Sequence, residues 1–141
     1  MNKELIQEIQ EISKALSKKY QCHVELVPLV NKISLEKLYR IVNDEFKRWC
    51  VRNGKSKAIY KKEGIRSRSR RHEVKLFRQI FIHIGREMKY SLEKIGTFID
   101  RDHSTCTVQY RQIVKRLKKH EEWATTNYNI IQTRITYAPF N

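Results

Sequence analysis

An all-α, mainly helical fold is what this 141-residue sequence predicts, and three features carry that expectation. Apolar side chains recur at three- and four-residue spacing in one stretch after another, as amphipathic helices require. Only 4 Gly and 2 Pro leave little material for the turns of a β fold. In the second half, two short helical patterns abut with room between them for only a tight turn, the outline of a helix-turn-helix.

From the N-terminus, Leu5, Ile9, Ile12 and Leu16 predict a helix over 2–19. The next segment, 20–30, alternates Cys22, Val24 and Leu26 with polar residues and stops at Pro28. It reads as a short strand or an extended connector, and a lone strand lacks a partner. Ser34 is placed to cap a second helix with Leu35, Leu38, Val42, Phe46 and Trp49 along one face. These two helices could pack on each other, on the rest of the chain or on a second copy.

Eleven Lys or Arg and a single acid, Glu63, fall between Lys47 and Arg71, and Asn53-Gly54 and Gly64 interrupt any helix there. Gly54-Lys55-Ser56 resembles the end of a phosphate-binding loop, but Trp49 stands where its first glycine belongs and no strand precedes it, so nucleotide binding is excluded. A helix over 72–90 then presents Val74, Phe77, Phe81, Ile84 and Met88 as its core stripe. Arg78, Gln79 and Arg86 lie off that stripe, free to face solvent or phosphate. A short helix, 91–99, follows, buried through Leu92, Ile95, Phe98 and Ile99, with Gly96 permitting close approach of a neighbour. In the helix after it, Cys106, Tyr110, Ile113 and Leu117 face the core, while Thr105, Val108, Arg111, Lys115 and Lys118 fall away from it. Trp123, Ile130, Ile131 and Ile135 mark a last amphipathic helix with an acidic start, suited to packing on the domain or a partner. The final four residues are expected to fray unless Phe140 docks.

The balance of 30 Lys or Arg against 15 Asp or Glu, a net charge of +15 and a pI near 9.9, implies a polyanionic partner. Three widely spaced cysteines (Cys22, Cys50, Cys106) form no metal-binding pair and read as reduced thiols of a cytoplasmic protein. No signal peptide and no membrane-spanning run is visible, so no membrane is expected. No nucleophile with a base and no metal-ligand cluster stands out. The sequence therefore predicts neither an enzyme nor a cofactor.

Asp100-Arg101-Asp102-His103-Ser104-Thr105 opens the second helix of the helix-turn-helix, and such helices read base edges from their N-terminal ends. Imidazole, carboxylate and hydroxyls suit that work, and the Thr105 methyl can touch thymine. The same residue types are also ordinary helix caps. Taken in order, Ser91-Leu92-Glu93-Lys94-Ile95-Gly96, Phe98 and Arg101-Asp102-His103-Ser104-Thr105 resemble the C-terminal DNA-binding domain of the bacterial replication initiator DnaA. The likeness reaches upstream to Arg70-Arg71 and Arg78-Gln79-Ile80 and downstream to about Leu117.

The resemblance implies a Trp-repressor-like, DnaA-type domain at 72–120, and the residue pattern places a helical module at 1–52 and a basic linker or arm at 53–71 before it and a helix and tail at 121–141 after it. It implies base contacts from Asp102, His103, Ser104 and Thr105, a minor-groove role for Arg70 or Arg71, and backbone contacts from Arg78, Gln79, Arg86 and Arg101. Arg111 and Lys115, on the outward face, join the backbone set. The chain departs from the family in having Asp100 where two glycines or similar are usual, Cys106-Thr107 and Gln109 where aliphatic and small residues are usual, and Ser104 in place of Thr. No ATPase segment is encoded in these 141 residues.

The functional expectation is a sequence-specific double-stranded DNA-binding protein of replication initiation or its regulation, on a phage or mobile element or in the nucleoid. Its N-terminal helices would bind a second copy or another replication or regulatory protein. Two other classes fit less of the sequence: a partner-recruiting adaptor or transcriptional regulator that carries a DNA-binding module, and a basic RNA-binding protein.

Overall fold

The computed structural model describes residues 3–21, 33–55 and 64–137. These fall into two units, one containing α1 (Lys3–Tyr20) and the other the described residues from 33 onward. Among the described residues there is no strand, so the all-α expectation holds. The possible strand over 20–30 and the tail at 138–141 lie almost wholly outside the described residues.

Helix α1 has Glu4 in its first turn and Lys18 and Lys19 in its last, the charge order its dipole favours. It buries no residue, and Leu5, Ile6 and Ile12 are exposed.

The second unit contains α2 (Leu35–Arg52), a 3-10 turn (Gly64–Arg66), α3 (His72–Glu87), α4 (Leu92–Phe98), α5 (His103–Lys118) and α6 (Glu122–Tyr137). Helix α2, grouped with α1 in the expected module at 1–52, falls within this unit. Helix α2 packs directly on α3 and α6, with Leu38, Val42 and Phe46 fully buried. Its apolar stripe finds its partner inside the same unit: the Phe46 ring lies tilted against Phe77 at 4.9 Å between centres, and Trp49 against Trp123 at 5.6 Å. A buried Glu45 carboxylate adds ion pairs to Arg52 at 2.6 Å and Arg134 at 3.3 Å, tying α2 to α6.

Helix α3 runs through the centre. Val74, Phe77, Phe81 and Ile84 are buried as their spacing predicts, and so are Leu76, Ile80 and Ile82 on its other faces. Each such side chain contributes about 1.5–3 kcal/mol on leaving water.

Local chemistry sets the helix ends. Ser34, Ser91 and Asp102 cap α2, α4 and α5 by accepting the amides of Lys37, Lys94 and Thr105 at 3.1, 3.1 and 2.7 Å. At their C-termini, α2, α3, α4 and α5 all finish in a left-handed residue followed by an amide that bonds back five residues: Lys55 to Cys50, Tyr90 to Gly85, Arg101 to Gly96 and Glu121 to Arg116. Only α2 has glycine in the left-handed place, Gly54. The others use Lys89, Asp100 and His120, with φ of 71°, 57° and 53°.

Candidate nucleic-acid interface

The turn between α4 and α5 is as short as a Schellman end and an N-cap allow. Asp100 holds the left-handed position, Arg101 closes the bond to the Gly96 carbonyl at 2.8 Å, and Asp102 already caps α5. Gly96 is needed for this. A Cβ there would sit 2.6 Å from the Arg101 carbonyl oxygen and 3.1 Å from Cys106 Sγ, so α4 and α5 touch almost backbone to backbone. Burial raises the Cys106 thiol above its ordinary pKa, so it packs as a small neutral side chain.

At the exposed tip of α5 stand Asp102, His103 and Ser104, with Thr105 half-buried beside them. Asp102 accepts both the backbone amide and the hydroxyl of Thr105, which holds its carboxyl below the usual aspartate range. Capping is thus its visible occupation. His103 and Ser104 carry their polar groups outward, and one turn on Val108 is 53% exposed in line with them. Arg111 and Lys115 continue that outward face. The sequence reading placed Val108 off the core line but gave it no role. An aliphatic group held in water on this face is suited to a thymine methyl.

The basic arm lies against this tip. Arg68, Arg70 and Arg71 are exposed, and Arg68 reaches to 3.8 Å from Asp100. Between arm and helix runs an open groove of about 580 Å³ lined by Arg68, Arg70, Lys75, Arg101, Thr105 and Gln109, among others. Arg68 and Lys75 were not singled out from sequence. Arg68 sat unremarked in the basic run, and the place of Lys75 depends on how α3 meets the arm. Gln109 is 8% exposed, and its Oε1 has no partner.

Two side chains expected to face solvent or phosphate are buried instead. Arg78 is 4% exposed, donating from Nε to the Ile65 carbonyl at 2.9 Å and from Nη2 to that of Ser67 at 2.8 Å. Burial, then the neighbouring charge of Arg101, pushes its pKa down to about 10, which leaves it charged at neutral pH. Gln79 is 2% exposed, donating to Gln112 Oε1 at 2.7 Å and accepting from Arg116 at 3.2 Å. Neither faces solvent. A one-stripe helix would have exposed both, but α3 is surrounded by α2, α4, α5, α6 and the 3-10 turn, so residues off the stripe are covered too.

Arg101 is half-buried, on the carbonyls of Ser67 and Asp100. Arg86 is half-buried with Nη1 on the Tyr90 carbonyl at 2.8 Å. No helix among the described residues is long and apolar enough to cross a membrane.

Against known families, residues 58–113 match the model described as bacterial dnaA protein helix-turn-helix. That span takes in the arm, α3, α4 and most of α5. A comparison with curated proteins found no match.

Proposed function

We propose that this chain, which carries a DnaA C-terminal-like helix-turn-helix DNA-binding domain across residues 58–113, is a sequence-specific double-stranded DNA-binding protein of replication initiation or its regulation. One observation supports this most. The exposed polar tip of α5, at His103 and Ser104, stands beside an exposed arginine arm across an open groove. A helix tip with hydroxyl and imidazole groups suits a major groove, and a flanking arginine arm suits the adjacent minor groove. The net charge of +15 supplies the attraction to phosphate that precedes either.

Random-site selection on duplex DNA with the purified protein tests this reading, and His103→Ala then tests the residue. The expected loss is about 1–3 kcal/mol on the selected site, with non-specific binding nearly unchanged. Equal loss on both, or no enriched sequence at all, would refute it.

A second reading, a partner-recruiting or dimerising adaptor, is favoured by the exposed Leu5, Ile6 and Ile12 of α1. Mass that rises with concentration in sedimentation of the full chain would support it. A monomer throughout would count against it.

A further inference from the structure

The arm is anchored more heavily than a linker requires. Gly64 has φ 55°, and a Cβ there would fall 2.3 Å from Asn43 Oδ1, the atom that accepts the Ile65 amide at 3.1 Å. Arg66 donates through Nε to the Phe98 carbonyl at 2.8 Å and lays its guanidinium 4.4 Å from the Tyr39 ring centre and 4.3 Å from that of Phe98. The Ser67 carbonyl accepts from two guanidiniums at once, Arg78 reaching out from α3 and Arg101 from the α4–α5 turn. Arg78 also takes the Ile65 carbonyl, and the Ser69 carbonyl at 3.4 Å. A buried charged guanidinium is unfavourable unless its donors are satisfied, and here backbone carbonyls of the arm satisfy them. Arg70 and Arg71, immediately beyond the last anchor, are exposed.

We infer that Arg78, with Arg101, is a positioning residue that clamps the basic arm at a fixed offset from the first turn of α5, so that arm and helix read one composite DNA site of fixed spacing. This rests on the DNA-reading role proposed above and deepens it. The Ser67 carbonyl joins the scaffold helix, the arm and the turn that leads into the reading helix at a single point. Consecutive Cα atoms are 3.8 Å apart, so Arg70 starts within about that distance of the Ser69 anchor and cannot wander far along a groove. An arm that is ordered beforehand loses little entropy on binding, and its base preference is locked in register with that of α5.

The test is a double-mutant cycle with the full chain, read by fluorescence anisotropy on the duplex obtained from random-site selection. Arg70→Ala alone should weaken binding about tenfold. In an Arg78→Lys background, where the charge remains but the planar fork is lost, Arg70→Ala should cost less than about twofold, while His103→Ala keeps its whole effect. An equal cost of Arg70→Ala in both backgrounds overturns the clamp. No effect of His103→Ala in the otherwise native protein would overturn base reading by α5 and with it the composite site, whereas failure of the Arg70→Ala comparison alone overturns the clamp. If Arg78→Lys does not fold, the same cycle runs on Arg101→Lys. Without any DNA, backbone order parameters for Arg66 to Ser69 should sit near the rigid value of about 0.85, and values below about 0.6 would overturn the inference.

Discussion

Gly96→Ala sets two effects of opposite sign against each other. In the middle of a helix alanine is favoured over glycine by about 1 kcal/mol, so propensity alone predicts a more stable protein. The new Cβ, however, would lie 2.6 Å from the Arg101 carbonyl oxygen, a backbone atom that cannot swing aside as a side chain can. Relief requires α4 to move away from the turn, which strains or breaks the Arg101 to Gly96 hydrogen bond and shifts the start of α5. Overpacking of this kind costs about 1–3 kcal/mol, and the lost bond about 1 kcal/mol more. The balance is a net destabilisation of about 1–3 kcal/mol. Urea unfolding followed by circular dichroism measures it. The variant should also bind the selected duplex more weakly, because the displaced element carries His103 and Ser104. A variant more stable than the parent would show that the α4–α5 approach is looser than described and would refute the reasoning.

Further expectations follow the same logic. Arg86→Ala removes one half-buried cation at the end of α3, and should weaken binding to all duplexes alike and reduce the slope of log affinity against log salt by about one unit. An unchanged slope would rule out a phosphate contact. Asp100→Gly relieves a left-handed non-glycine residue and should raise stability by about 0.5–1 kcal/mol in urea unfolding, and lower stability would mean the carboxylate matters more than the backbone. Although burial pushes Glu87 up, hydrogen bonds from His83 and Tyr128 outweigh it and hold the carboxyl below its ordinary value of 4.5. A depressed folded pKa gives stability that is present above the unfolded carboxylate range and is lost as pH falls through the folded value. Glu87→Gln should therefore be less stable than the parent at neutral pH, with the gap closing in acid. A gap independent of pH would assign the effect to packing instead.

The elements were legible because their determinants are local. The 3–4 spacing of Val74, Phe77, Phe81 and Ile84 needs only the helix period, and Ser34, Ser91 and Asp102 announce helix starts through hydroxyl or carboxylate groups placed just before apolar runs. The exposed tip at His103 and Ser104 and the exposed arm at Arg70 and Arg71 were likewise readable from residue type and order. The turn was half-readable. Asp100 in place of glycine was visible in the sequence, but its left-handed φ of 57° and the demand on Gly96 came only with the fold.

By itself, then, the sequence determined the helices, their caps, the excess of positive charge and the polar start of α5, since each depends on neighbours within a few residues or on composition. Which arginines face outward was decided only by tertiary structure. Arg78 on α3 and Arg70 in the arm before it both carry a guanidinium that the sequence left free to face phosphate, yet one is enclosed against arm carbonyls while the other stands in solvent. The same holds for α2, whose stripe was plain but whose partner could have been any apolar face. Burial is a property of what packs around a residue, and for a helix covered on every side the chain's own periodicity does not encode it.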